Sequence, residues 1–85
     1  MLVQAELSLY ALGQAHLSPA IELMVKTLEE HGCRVETGPM SSLVRCESDR
    51  LFEALRAGYE AAAARWPCVL VMKLSNACPA PDAEA

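Results

Sequence analysis

A strand-like run, the residues Thr37-Gly38-Pro39-Met40, and a second strand-like run constrain this chain more than any other segment. Pro fixes φ and Gly accepts backbone angles that other residues avoid. A Gly-Pro pair between residues 33–37 and 41–46 therefore reads as the turn of a β-hairpin. Residues 3–10 form a further strand. Val3, Ala5, Leu7 and Leu9 fall on one face of it and Gln4, Glu6, Ser8 and Tyr10 on the other, the alternation of a half-buried strand.

Helical signals fill the longer gaps. Ser18-Pro19 reads as an N-cap with proline at the first helical position, and Ile21, Met24, Val25 and Leu28 follow at the spacing of an amphipathic helix. His31-Gly32 closes it. Ser48-Asp49 caps a second helix whose apolar stripe is Phe52, Leu55, Tyr59, Ala62 and Trp66, and Pro67 ends it. Gly58 interrupts that helix at a cost of about 1 kcal/mol relative to Ala, so close packing against a neighbouring helix is expected there. Residues 67–75, with Cys68-Val69-Leu70-Val71-Met72 at their centre, form the last strand.

The order β-α-β-β-α-β predicts an α+β, ferredoxin-like fold: a four-stranded antiparallel sheet with two helices on one face. Residues 1–76 form the single domain and residues 77–85, rich in Pro, Ala, Asp and Glu, a disordered tail. Right-handed crossovers put the first and third strands side by side in the middle of the sheet, and these two are expected to run parallel. The face carrying Gln4, Glu6, Ser8 and Tyr10 is left uncovered, and the last strand adds apolar residues where no helix reaches. Exposed apolar surface of that kind marks an interface, so a homodimer or homotetramer packed sheet on sheet is expected.

Composition removes several functional classes. The 85 residues suit one domain, with 53% apolar and 21% charged residues as in globular proteins. Seven basic residues against eleven acidic ones give a net charge of −4, and no basic cluster offers a phosphate footprint, so nucleic acid is not an expected partner. No apolar stretch approaches the roughly 18 residues of a membrane span, and the start of the chain lacks the basic region of a signal peptide. The four cysteines form no C-x-x-C pair. Cys33 and Cys46 could bridge across the hairpin, but free thiols in a reducing cytoplasm are the expectation. No Ser-His-Asp set, metal cluster or paired carboxylates emerge, so neither catalysis nor a cofactor is expected.

The fold hosts many activities, and residues must separate them. Gly13-Gln14-Ala15-His16 after the first strand has no cysteine for a metal-carrying version and no arginine for an acylphosphatase-like anion loop. The third strand, with Ser42, Leu43, Val44 and Arg45, lacks the stacking aromatics of an RNA-recognition version.

Glu6-Leu7-Ser8-Leu9-Tyr10-Ala11-Leu12-Gly13 followed by Thr37-Gly38-Pro39-Met40-Ser41-Ser42 resembles the small thiamine- and hydroxymethylpyrimidine-binding proteins (YkoF-like), over residues 2 to about 75. Their usual pattern is a Ser-x-Tyr-Pro-x-Gly-like stretch and a Gly-Pro-Met-x-Thr hairpin. Here Ala11 replaces the usual Pro and Ser42 the usual Thr. The resemblance implies a non-catalytic protein that binds thiamine or its hydroxymethylpyrimidine half as carrier or sensor, in an oligomer built on the sheet. It also implies a site at Glu6, Ser8, Tyr10, Thr37, Gly38, Met40, Ser41 and Ser42. In such a site Glu6 balances the thiazolium charge, Tyr10 stacks on a ring and Ser8 hydrogen-bonds the amine. Thr37, Ser41 and Ser42 add hydroxyls, Gly38 forms the turn that positions Thr37, and Met40 gives an adaptable apolar wall. Other readings of the same residues are a structural interaction module that binds no vitamin, and an amino-acid-sensing regulatory domain.

Parallel central strands would set Tyr10 and the Gly38 turn at opposite ends of the sheet, roughly 20 Å apart at ~3.3 Å per residue. A site shared across a two-fold axis, or two clusters of which only one binds, is the expectation that follows.

Overall fold

The structure, a computed structural model, describes residues 1–77. The tail expected from residue 77 lies, apart from Ala77 itself, outside the described residues, as does Cys78. Six elements follow in order: β1 (Leu2–Ala11), α1 (Ser18–Glu30), β2 (Arg34–Thr37), β3 (Ser42–Glu47), α2 (Ser48–Ala63) and β4 (Cys68–Ser75). The strands form one sheet in the order β2-β3-β1-β4, with every neighbouring pair antiparallel. This is the ferredoxin-like βαββαβ arrangement read from the sequence.

One expectation about the sheet is corrected. β1 and β3 are antiparallel, with Leu2 opposite Glu47 and Leu7 opposite Ser42. The reason is the hairpin itself. The α1 crossover returns β2 in the direction of β1, and the tight turn then reverses the chain, so β3 opposes both.

Both helices pack on the face carrying Val3, Ala5, Leu7, Leu9 and Ala11, all buried. Leu28 of α1, Leu51 of α2 and Val44 of β3 are the largest fully enclosed side chains. Burying each such aliphatic side chain contributes about 1.5–3 kcal/mol. On α2 the inward face is Leu51, Ala54, Leu55, Gly58 and Ala62, which keeps Leu55 and Ala62 of the predicted stripe and replaces Phe52 and Tyr59. Phe52 and Tyr59 are exposed, and Trp66 packs only partly against the core beneath the Arg65 guanidinium. Tyr59 uses its polar tip, donating from its hydroxyl to the Cys68 carbonyl at 3.2 Å.

The helix ends divide into one success and two corrections. Gly32 adopts φ +85°, its N–H donates to Glu29 O and the Cys33 N–H donates to Leu28 O, each at 3.0 Å. That is a Schellman stop, which only a residue free to enter the left-handed region closes easily. Ser18 and Ser48, by contrast, are first helical residues whose helices have no side-chain cap bond. Asp49 instead accepts the N–H of Arg50 at 2.9 Å.

Gly58 justifies its place by packing. A Cβ built there would sit 2.6 Å from Met24 Sδ and 3.2 Å from Met24 Cε, so α2 lies close on α1 as expected. Gly58→Ala gains about 1 kcal/mol of helix propensity but overpacks this contact at about 1–3 kcal/mol. A net loss of about 1 kcal/mol is expected, read as a lower urea midpoint at unchanged slope. A stabilised variant would refute the close contact.

Cys33 and Cys46 are joined by a disulfide, with Cα atoms 4.7 Å apart, so the expectation of free thiols at these positions is corrected. They occupy the next cross-strand position beyond the pair Arg34 and Arg45, and both are buried on the helix-covered face. Hairpin register thus brings the sulfurs together without any backbone adjustment, within the usual Cα separation of a disulfide. Cys68 is free. No helix among the described residues is long and apolar enough to cross a membrane.

Candidate functional site

Antiparallel register places Tyr10 and the β2–β3 turn at the same end of the sheet, which removes the expected 20 Å separation. β3 begins at Ser42, opposite Leu7, whereas β1 continues to Ala11. Tyr10 therefore lies three residues, about 10 Å, beyond the last β1–β3 pair. The turn at residues 38–41 projects in the same direction. Between them is a cavity of about 270 Å³. Its walls are β1 from Leu7 to Tyr10 and the segment from Thr37 to Ser42, and its floor is Leu17, Ile21, Met24, Val25 and Leu28 of α1 and the loop before it.

Of the residues singled out in the sequence, Ser8, Tyr10, Thr37, Gly38, Met40, Ser41 and Ser42 all line this cavity. They approach it from two sides. Thr37 is opposite Ser42, and Ser42 opposite Leu7, so these hydroxyls share the helix-covered face with Leu7 and Leu9. Ser42 is buried at 8% exposure. Ser8 and Tyr10 stand on the open face, opposite Val71 and Val69 of β4. Met40, at the tip of the turn, is 87% exposed. An apolar floor with a few convergent hydroxyls is the usual make-up of a small-molecule site.

Glu6 does not line the cavity but holds its wall in place. Its Oε2 accepts a hydrogen bond from Ser41 Oγ at 2.9 Å, and its Oε1 lies 3.8 Å from Lys73 Nζ. Lys73 is its direct cross-strand neighbour on β4. The first contact ties the turn down to β1 across 35 residues of sequence. The second partly neutralises the carboxylate, so Glu6 offers less free negative charge to a cation than its type suggests.

Gly38 serves the turn in a way the sequence reading misassigned. Positive φ occurs only at Gly13 and Gly32 among the described glycines, so Gly38 is not there for a left-handed conformation. A Cβ at Gly38 would sit 3.0 Å from the Ser41 carbonyl, the acceptor of Gly38's own N–H at 2.9 Å. Crowding across the hairpin mouth is what demands glycine.

The floor residues Leu17, Ile21 and Val25 carry no site signal in the sequence. Ile21 and Val25 belong to the amphipathic stripe of α1, and periodicity alone assigns such a stripe to the core. In the fold only Ala20, Met24 and Leu28 of α1 are buried, whereas Ile21 and Val25 are half-buried and line the cavity. A second depression, of about 310 Å³, lies on the open face over Gln4, Arg34, Glu36, Leu43 and Arg45. It is separate from the predicted cluster and bordered by charges of both signs. Among the described residues no group of His, Cys, Asp and Glu is placed to hold a metal ion.

Comparison with known proteins gives a consistent result. The family model described as thiamine-binding protein matches residues 5–75. A search of curated proteins finds no match. Among solved structures, a hypothetical protein of Methanocaldococcus jannascii superposes with a TM-score of 0.82 at 20% identity, covering 91% of this chain and 81% of that one. A protein of Streptococcus pneumoniae gives 0.78 at 18% identity, with 88% and 86% covered. A candidate thiamine biosynthesis/salvage protein of Thermotoga maritima gives 0.76 at 14% identity, with 88% and 83% covered. At these identities the superpositions establish a shared fold.

Proposed function

The chain belongs to the thiamine-binding protein family, and from that premise we propose that it binds thiamine or its hydroxymethylpyrimidine half, without catalysis, in the cavity between β1 and the β2–β3 turn. The observation that carries this reading is the register of β1 against β3, which gathers Ser8, Tyr10, Thr37, Met40 and Ser42 around one cavity of a single chain. A site shared between subunits is no longer needed to unite them. At about 270 Å³ the cavity falls just below the usual range of small-molecule pockets, ~300–1,000 Å³. It suits one aminopyrimidine ring better than a whole extended ligand. The cationic thiazolium then lies toward the open face, where the Tyr10 ring offers a cation–π surface. Ser8, Thr37, Ser41 and Ser42 supply hydroxyls to the polar groups of the ligand, and Met40 closes over it.

The protein acts as carrier or sensor in an oligomer packed through the open sheet face. Tyr10, Leu43, Val69 and Val71 expose apolar surface there, and Glu6 and Lys73 supply charges of both signs for a self-complementary contact. Calorimetric titration with thiamine and with hydroxymethylpyrimidine tests the reading. Saturable binding is expected, weakened about 10- to 30-fold by Tyr10→Ala, the equivalent of about 1.4–2 kcal/mol. Full affinity in both Tyr10→Ala and Ser42→Ala would remove the site from this cavity. No heat from either ligand, with a folded oligomer, would leave a structural interaction module as the function.

A further inference from the structure

The stretch of β1 that outruns β3 has a backbone edge as well as side chains. Met1 C=O accepts the Ser48 N–H on the β3 side at 2.8 Å, and the Leu12 N–H donates to Pro67 C=O on the β4 side at 2.8 Å. Peptide groups of alternate residues in a strand point to opposite sides. Odd-numbered residues of β1 therefore address β3 and even-numbered residues address β4. Ser8 and Tyr10 are bonded to β4 in this pattern. Leu9 faces the position where β3 would continue, but β3 starts only at Ser42, opposite Leu7. Outside the regular ladders, no backbone hydrogen bond to Leu9 is found among the described residues. Leu9 lines the cavity. An N–H and a C=O thus lie side by side at the edge of a pocket with an apolar floor, at the place where a sheet would pair them.

We propose that the Leu9 peptide edge is the ring-reading element of the site, pairing with an aminopyrimidine as a neighbouring strand residue would. The Leu9 N–H donates to a ring nitrogen, and the Leu9 C=O accepts from the adjacent exocyclic amine. A flat heterocycle whose amine and ring nitrogen are neighbours presents the same acceptor–donor pair as a strand residue. A ring lacking the amine leaves the carbonyl unpaired in the pocket, which is the condition under which a hydrogen-bonding site discriminates most strongly. This assignment rests on the aminopyrimidine reading above and adds that specificity is carried by main chain, with Ser8, Tyr10 and Ser42 shaping the cavity around it.

Amide hydrogen exchange followed by NMR on the full chain, with hydroxymethylpyrimidine as the probe, tests it. In the free protein the Leu9 N–H is expected to exchange at least about tenfold faster than those of Ser8 and Tyr10, which are held by β4. Saturating probe is expected to slow Leu9 about tenfold relative to these two neighbours. The analogue without the exocyclic amine is expected to bind about tenfold more weakly. Saturable probe binding with Leu9 exchange unchanged, or a Leu9 N–H already as protected as its neighbours in the free protein, would overturn the assignment and leave the proposed function standing. Absence of any probe binding would overturn both.

Discussion

Reduction of the Cys33–Cys46 bridge is expected to lower the thermal midpoint of this protein by about 12–24 °C. The bridge joins residues 13 apart in sequence. Closing a loop of that size removes about 3 kcal/mol of chain entropy from the unfolded state at 25 °C. For a domain of 60–100 residues each kcal/mol corresponds to roughly 4–8 °C. The effect is large because total stability at this length is only about 4–13 kcal/mol. Thermal melts with and without a thiol-free phosphine reductant give the shift, and thiol titration confirms that two new thiols appear. A Cys33→Ala, Cys46→Ala double variant is expected to melt near the reduced protein and to ignore the reductant. If reduction releases two thiols and the midpoint stays within about 3 °C, the bridge adds no constraint to the unfolded chain and the loop-entropy account fails here.

Leu51→Ala is expected to cost about 2–5 kcal/mol, whereas Phe52→Ala is expected to cost less than about 1 kcal/mol. Leu51 is fully enclosed between helix and sheet, and Phe52, one residue on, is half exposed. Removing the first leaves a cavity in a core that collapses only partly, and removing the second strips surface already in contact with water. Urea unfolding of the two variants ranks them directly. Equal losses, or a larger loss at Phe52, would mean that α2 packs with the stripe that periodicity suggested.

Much of the fold was legible because its signals are local. The Gly-Pro turn, the alternation of Val3 to Tyr10 and the Gly32 stop are each set by residues within a few positions of one another, and they were found where expected. Gly58 was legible one level higher. A glycine inside a helix costs enough that something nearby must need the space, and Met24 does. The α2 stripe held at Leu55 and Ala62 but missed at Phe52 and Tyr59, for the opposite reason. Residues 51 and 52 differ by 100° around the helix, and both are large and apolar, so only the docking angle of α2 on the sheet selects Leu51. Cysteine pairing was ambiguous because spacing allowed a bridge without showing that Cys33 and Cys46 share a face.

The candidate site divides along the same line. Residue types and the resemblance singled out Ser8, Tyr10 and the turn at residues 37–42 from the sequence alone, since hydroxyls, a ring and a Gly-Pro turn are local features. Their meeting in one cavity was decided by strand direction. A reversal at the hairpin sets β3 antiparallel to β1, and the unequal strand lengths then leave β1 overhanging at Leu9 and Tyr10 beside the turn. Strand direction and overhang are relations between segments some 30 residues apart. Composition and periodicity act within one element and carry no such information, so local chemistry determined which residues were available and packing decided which of them came together.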